Sequence, residues 1–142
     1  MSEENKNLVR LIYEEILNKK NLDAIDQVFA GDMLFRAPNL PETRGGEAHK
    51  QLVAAIHKAF PDISYTVQDV IAEGDKVVTR KTFSGTHKGD FMGVPPTGKK
   101  GEIGVIDIFC IANGRIAEHW MEGDNLGLMQ QLGIIPPPGQ GR

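Results

Sequence analysis

A single cysteine, Cys110, stands among 142 residues, so no internal disulfide forms and the composition fits a reducing compartment. Positive charge is outweighed: 16 Lys and Arg face 19 Asp and Glu, for a net charge of -3. No basic stripe marks a nucleic-acid or anionic-lipid surface. No apolar run approaches the roughly 18 residues a membrane span requires. The polar, acidic start MSEENKNL lacks the basic and apolar regions of a secretory signal. These absences lead to the expectation of a cytoplasmic protein with neither nucleic acid nor a membrane as partner. Reactive motifs are missing as well. There is no GxSxG, and GTHKGDFMG does not join a strand to a helix as a phosphate loop does. His49 and His57 lie eight residues apart, off a shared helical stripe, and no HExxH occurs. No metal and no cofactor is therefore expected. Cys110 sits mid-strand among apolar neighbours, where a thiol stays protonated and inert.

What is present is a length suited to one domain and an ordinary 40% of hydrophobic residues. Ser2 is placed to cap a first helix carrying Leu8, Leu11, Ile12 and Ile16, with Glu3 and Glu4 in the first turn where the helix dipole favours them. Asn21 is expected to cap a short second helix with Leu22, Ile25, Val28 and Phe29 on one side, stopped at Gly31. DMLFRAP reads as a brief strand ended by Pro38. From Gly46 to Phe60 a third helix shows Leu52, Ala55, Ile56 and Ala59, closed by Pro61. The period then changes from 3.6 to 2. ISYTVQDVIA and KVVTRKTFSG are β-branched strands joined through EGDK, where Gly74 supplies a positive φ. EIGVIDIFCIA and RIAEHWM flank Asn113-Gly114, the strongest hairpin signal in the chain. Between the two hairpins, the Gly- and Pro-rich stretch from His87 to Lys100 is too long for a simple turn and suits a gate or a subunit contact, with Phe91 and Met92 near its tip. Helices followed by antiparallel strands predict an α+β domain, helices on one face of a curved sheet.

A two-residue turn at Asn113-Gly114 sets Ile108 opposite His119, Cys110 opposite Ala117 and Ile106 opposite Met121, all sharing one face. That small, apolar face is expected to meet the helices. The other face, with Asp107, Phe109, Ile111, Ile116, Glu118, Trp120 and Glu122, is expected to point outward, making Phe109 and Trp120 a half-exposed oligomer surface. Asp124 stands open to two readings. It is the N-cap of the NLGLMQQL helix, a role Asn125 can also fill, or a kink at Gly123 swings it inward as a buried acid with a raised pKa. His119 is either a hydrogen-bonded core residue or a polar partner of that acid. Arg80 is either a pocket residue or a solvated charge.

The segments FPDISYTVQDVIAEGDKVV, GTHKGDFMGVPPTGK, DIFCIANGRIAEHW and DNLGLMQQLG, in this order, resemble the successive signatures of the SnoaL-like polyketide cyclases, a branch of the NTF2-like superfamily. The resemblance covers residues 5–135. It implies an α+β cone in which N-terminal helices pack on a strongly curved antiparallel sheet around one apolar cavity, as a single domain over 1–135; the composition of PPPGQGR makes 136–142 a flexible tail. It also implies cofactor-free ring closure of a polyketide ester by intramolecular aldol condensation. Asp124 matches the family's general acid/base, and the expected catalytic pair is Asp124 with His119. Tyr13, Phe35, Arg80, Ile106, Ile108, Cys110 and Met121 are the candidates for the cavity wall. The sequence departs from the family near Ile108 and Cys110, where the best-known cyclases carry polar side chains. Two alternatives follow, a non-catalytic binder of an apolar small molecule and an epoxide hydrolase. Superfamily members often pair through the outer sheet face, which implies a homodimer or higher homo-oligomer.

Overall fold

The computed structural model describes residues 2–38 and 40–136. The tail expected over 136–142 therefore lies, apart from Pro136, outside the described residues, as does the side chain of Ser2. Helix α1 (Ser2–Leu11) runs directly into a π-helical segment, Ile12–Asn18. The wider π turn presents Ile12, Tyr13 and Ile16 to the core beside Val9. Leu11, expected in the apolar stripe, is exposed instead. The second expected helix is a 3₁₀ turn, Leu22–Ala24, followed by α2 (Ile25–Val28), and Asn21 makes no side-chain cap. Strand β1 (Phe29–Arg36) begins earlier than DMLFRAP suggests, so Gly31 lies within the strand. After β2 (Thr43–Arg44), helix α3 (Gly46–Ala59) buries His49, Val53 and Ala59, whereas Ala55 faces solvent.

Strands β3 (Ser64–Glu73), β4 (Lys76–Thr86), β5 (Lys100–Ala112) and β6 (Arg115–Gly123) form an antiparallel meander that β1 and β2 extend, in the order β2-β1-β6-β5-β4-β3. Only β1 against β6 runs parallel. Both turn signals hold: Gly74 has φ 60°, and Asn113 and Gly114 have φ 54° and 76°, as a type I′ turn requires. Helix α4 (Asn125–Gln131) closes the chain against β5. The curved sheet remains open, and its concave face holds the core against α1, the π segment and α3. The fold is the expected α+β arrangement. Among the described residues, no helix is long and apolar enough to cross a membrane.

A bulge decides which side chains enter that face. Ala112 pairs with Arg115 and Ile111 with Ile116, but Cys110 then pairs with Glu118, leaving Ala117 as an extra residue on β6. Beyond it, Phe109 lies opposite His119, Ile108 opposite Trp120 and Asp107 opposite Met121. A one-residue slip moves a strand's whole set of side chains to the other face. On β5 the buried set is thus Ile103, Val105, Asp107, Phe109 and Ile111, while Ile106 and Ile108 are exposed and Cys110 is half-buried on the outer side. The expected inward placement of Ile106, Ile108 and Cys110 is reversed, and so is the outward placement of Asp107, Phe109, Ile111 and Ile116. His119 and Met121 point inward and Trp120 outward, as anticipated, because the extra residue restores their parity.

Candidate active site

Asp107 is the centre of a buried polar cluster assembled from four elements. The π segment supplies Tyr13, whose hydroxyl donates to Asp107 Oδ2 at 2.6 Å, and β4 supplies Thr79, whose hydroxyl lies 2.6 Å from that of Tyr13. From β4 also comes Lys81, its Nζ 3.0 Å from Asp107 Oδ2 and its side chain 4% exposed. From β6, His119 Nε2 lies 2.9 Å from Asp107 Oδ1. Lys81 fits this place because its ammonium also faces two rings, Tyr13 at 4.7 Å and Tyr65 at 4.4 Å. His119 stacks on Phe109 with centroids 4.3 Å apart, which fixes its ring plane.

Burial alone would raise the pKa of Asp107, but the Lys81 ammonium and the hydrogen bonds from His119 and Tyr13 outweigh it and hold the carboxyl well below the usual carboxylate range. Burial pushes His119 down and so favours the neutral imidazole, although its bond to Asp107 works the other way. Tyr13 is pushed up, by burial first and then by the Asp107 charge, so it stays a hydrogen-bond donor. At neutral pH the cluster is therefore one ion pair with a neutral imidazole attached. With Nε2–H donating to Asp107, the other nitrogen of His119, Nδ1, is buried without a partner, as is Nδ1 of His49 on α3. The two rings lie 5.9 Å apart, and His49 is walled by Phe29 and Phe35.

Lys81 connects this cluster to open space. With Tyr65, Phe60, Phe83, Phe91, Ile103, Val105, Met121 and Leu128 it lines a small apolar pocket of about 70 Å³. A second apolar pocket, of about 150 Å³, is lined by Leu40, Leu52, Ala55, Met92 and others. Both share Ile56, Phe91, Met121 and Asn125 as walls. The two pockets thus adjoin as two lobes along these walls. Among the described residues, no group of three or more His, Cys, Asp or Glu side chains is placed to hold a metal ion.

The structure gathers only part of the sequence-derived set. Tyr13, His119 and Phe35 belong to the buried cluster or its immediate wall, and Met121 lines both lobes. Arg80 is exposed and ion-paired with Asp69, Nε to Oδ2 at 2.6 Å, on the outer face beside Ile106. Arg80, Ile106, Ile108 and Cys110 are not walls of either lobe. Asp124 does not turn inward at Gly123. It is exposed, and its Oδ1 accepts from the backbone N–H of Gly127 at 2.8 Å as the N-cap of α4. Removing that cap in Asp124→Ala should cost about 1 kcal/mol, measured by urea unfolding. An unchanged midpoint would mean that the cap carries no stability.

Asp107, Lys81, Thr79, Tyr65 and His49 were not singled out by the sequence. The available signal was an isolated acid in VIDIF, flanked by apolar residues, whereas Lys81 stands between Arg80 and Thr82 in TRKTF and carries no such mark. A buried charge needs a partner, and these two are each other's.

The family model described as SnoaL-like polyketide cyclase matches residues 7–132. A curated relative, the aklanonic acid methyl ester cyclase DnrD of Streptomyces peucetius, is 31% identical over 102 residues, covering 71% of this chain and 70% of that protein. Among solved structures, TsrD of Streptomyces laurentii is 34% identical with a TM-score of 0.84, covering 94% of this chain and 97% of that one. Wild-type IdmH of Streptomyces antibioticus is 33% identical with a TM-score of 0.79, covering 91% and 98%.

Proposed function

The chain belongs to the SnoaL-like polyketide cyclase family, and from that premise we propose that it closes a ring in a hydrophobic carbonyl compound by intramolecular aldol condensation. The observation that carries the proposal is the Lys81 ammonium at the wall of an apolar pocket, backed by Asp107 and His119. In this reading Lys81 donates a hydrogen bond to the substrate carbonyl and stabilises the enolate oxygen. Turning toward that oxygen draws the cation away from Asp107, and burial then raises the proton affinity of the carboxylate when a base is needed. The Asp107–His119 pair takes the proton from the activated carbon, the enolate carbon then attacks the second carbonyl to form the ring's new carbon–carbon bond, and the pair returns a proton to that carbonyl's oxygen, which becomes a hydroxyl. The bond-making step is redox-neutral and asks only proton transfers of the protein, so it calls for no cofactor. The apolar walls fold the chain into reacting geometry.

Turnover of compact β-keto esters tests this. Asp107→Asn is expected to lower kcat by about 10²–10⁴-fold, while Asp124→Asn retains activity. The reverse pattern would return the acid/base role to Asp124. Tight binding with no chemical change, insensitive to both substitutions, would make the protein a binder.

Homodimerisation is part of the same proposal. Ile71, Val78, Ile108 and Trp120 are successive partners across β3, β4, β5 and β6, forming an apolar row on the outer face. Ile71 is 62% exposed and Trp120 40%, with the Arg36 guanidinium 4.9 Å from the Trp120 ring. In light scattering the wild type should be a dimer and Trp120→Glu a monomer. A monomeric wild type would remove the proposal.

A further inference from the structure

Phe91 occupies a position that the proposed chemistry does not use. It lies in the loop between β4 and β5, at the start of a tight turn in which its N–H donates to Val94 O at 3.0 Å and the Val94 N–H donates back to Phe91 O at 2.9 Å. Met92 and Gly93, at φ 50° and 80°, make that turn. The loop is clasped at its base by His87, whose N–H donates to Lys99 O and whose carbonyl accepts from the Gly98 N–H, both at 2.9 Å. The ring of Phe91 meets Phe60 edge-on at 5.2 Å. It stands between the Lys81 lobe and the second apolar lobe, a wall of both. Of the other shared walls, Ile56 belongs to α3, Met121 to β6 and Asn125 to α4, so their backbones are held by regular structure. Phe91 is the largest of the four and the only one on a loop.

We infer that Phe91 is a specificity-determining residue: it divides one elongated apolar cavity into two and restricts the Lys81 lobe to compact carbonyl compounds. The inference rests on the proposed role of the Lys81 lobe as the reacting site. A chain with a small residue at position 91 would extend the substrate into the second lobe, past Leu40 and Leu52, and accept an alkyl or aryl tail there. The occupant of the extension is apolar, because the second lobe's wall is chiefly aliphatic, with Asp90 its single carboxylate.

The test is a series of straight-chain carboxylic acids of increasing length, whose anionic head stands in for the enolate oxygen at Lys81, titrated calorimetrically into the full chain. While a growing tail enters an apolar lobe, each added methylene tightens binding by about threefold to fourfold. In the wild type this gain should stop once the Lys81 lobe is full. In Phe91→Ala it should continue for several further methylenes, and in Phe91→Leu for fewer. A plateau at the same length in all three proteins overturns the inference, and so does an equal loss of affinity for every chain length. Failure to bind any member of the series counts against it too. Lys81→Met separates this from the proposed function. If Lys81→Met leaves affinities unchanged while Phe91→Ala still extends the plateau, the reacting-site reading fails and the divider stands. If Lys81→Met abolishes binding while the plateau stays fixed in Phe91→Ala, the divider fails alone.

Discussion

Lys81→Met is expected to destabilise the protein by roughly 3–5 kcal/mol at neutral pH, because it strands the Asp107 carboxylate without its cation. Methionine keeps most of the unbranched stem of lysine, so the loss is chiefly electrostatic. Tyr13, Thr79 and His119 remain as hydrogen-bonding groups, but all three are neutral, and the carboxylate is fully buried. Burial is then opposed only by the hydrogen bonds and the electrostatic pull of His119, and the pKa of Asp107 rises from its depressed value. The double substitution Lys81→Met/Asp107→Leu should regain much of the loss, since replacing a whole buried pair with apolar groups is often neutral. Activity should not return with it. Stability recovered while turnover stays absent would separate the pair's chemistry from its structural part. Urea unfolding of both variants measures this directly. A cost below about 1 kcal/mol for Lys81→Met is what a solvated surface pair shows, and it would mean that the ammonium is hydrated rather than enclosed.

That cluster also explains how far the sequence could be read. Helix and strand existence, the turns at Gly74 and Asn113-Gly114, and the α+β class follow from period and turn chemistry, which are local. The extra residue at Ala117 has no local signature: RIAEHWM alternates acceptably in either register. The β5 sequence gave no help, since EIGVIDIFCIA is apolar on both of its faces and its one central acid argued for solvent. Asp107 is buried because Lys81, Tyr13, Thr79 and His119 reach it from positions 12 to 94 residues away. Such partners cannot be inferred from neighbours in the chain. Asp124 shows the opposite case. Its capping role is wholly local, was one of the two readings open from the sequence, and is the one the geometry takes. The π segment at Ile12–Asn18 was likewise hidden, because LIYEEILN satisfies an ordinary helical stripe while the wider turn brings Tyr13 to Asp107.

Stability should fall as pH drops from about 6.5 toward 3, and His49 should account for much of the fall. Burial, then the nearby His119 and Lys81, push the pKa of His49 down from 6.5 to about 3. The folded state thus holds this imidazole neutral over a range in which the unfolded chain protonates it. Where the unfolded state binds more protons, stability rises with pH, so the contribution is complete above 6.5 and is lost progressively on acidification to about 3. At 1.36 kcal/mol per pKa unit, the full contribution is on the order of 4–5 kcal/mol. His119, also lowered, adds to the same limb, and the depressed Asp107 adds a further loss only below the unfolded carboxylate value of about 3.9. His49→Phe isolates the histidine. The new ring can pack between Phe29 and Phe35 as the imidazole does, and any packing penalty is independent of pH. Urea midpoints at a series of pH values between 7.5 and 4 should therefore slope steeply in the wild type and much less in His49→Phe. Parallel slopes would mean that His49 is protonated in the folded protein without cost, which a side chain 5% exposed among aromatic rings and beside a buried ammonium does not allow.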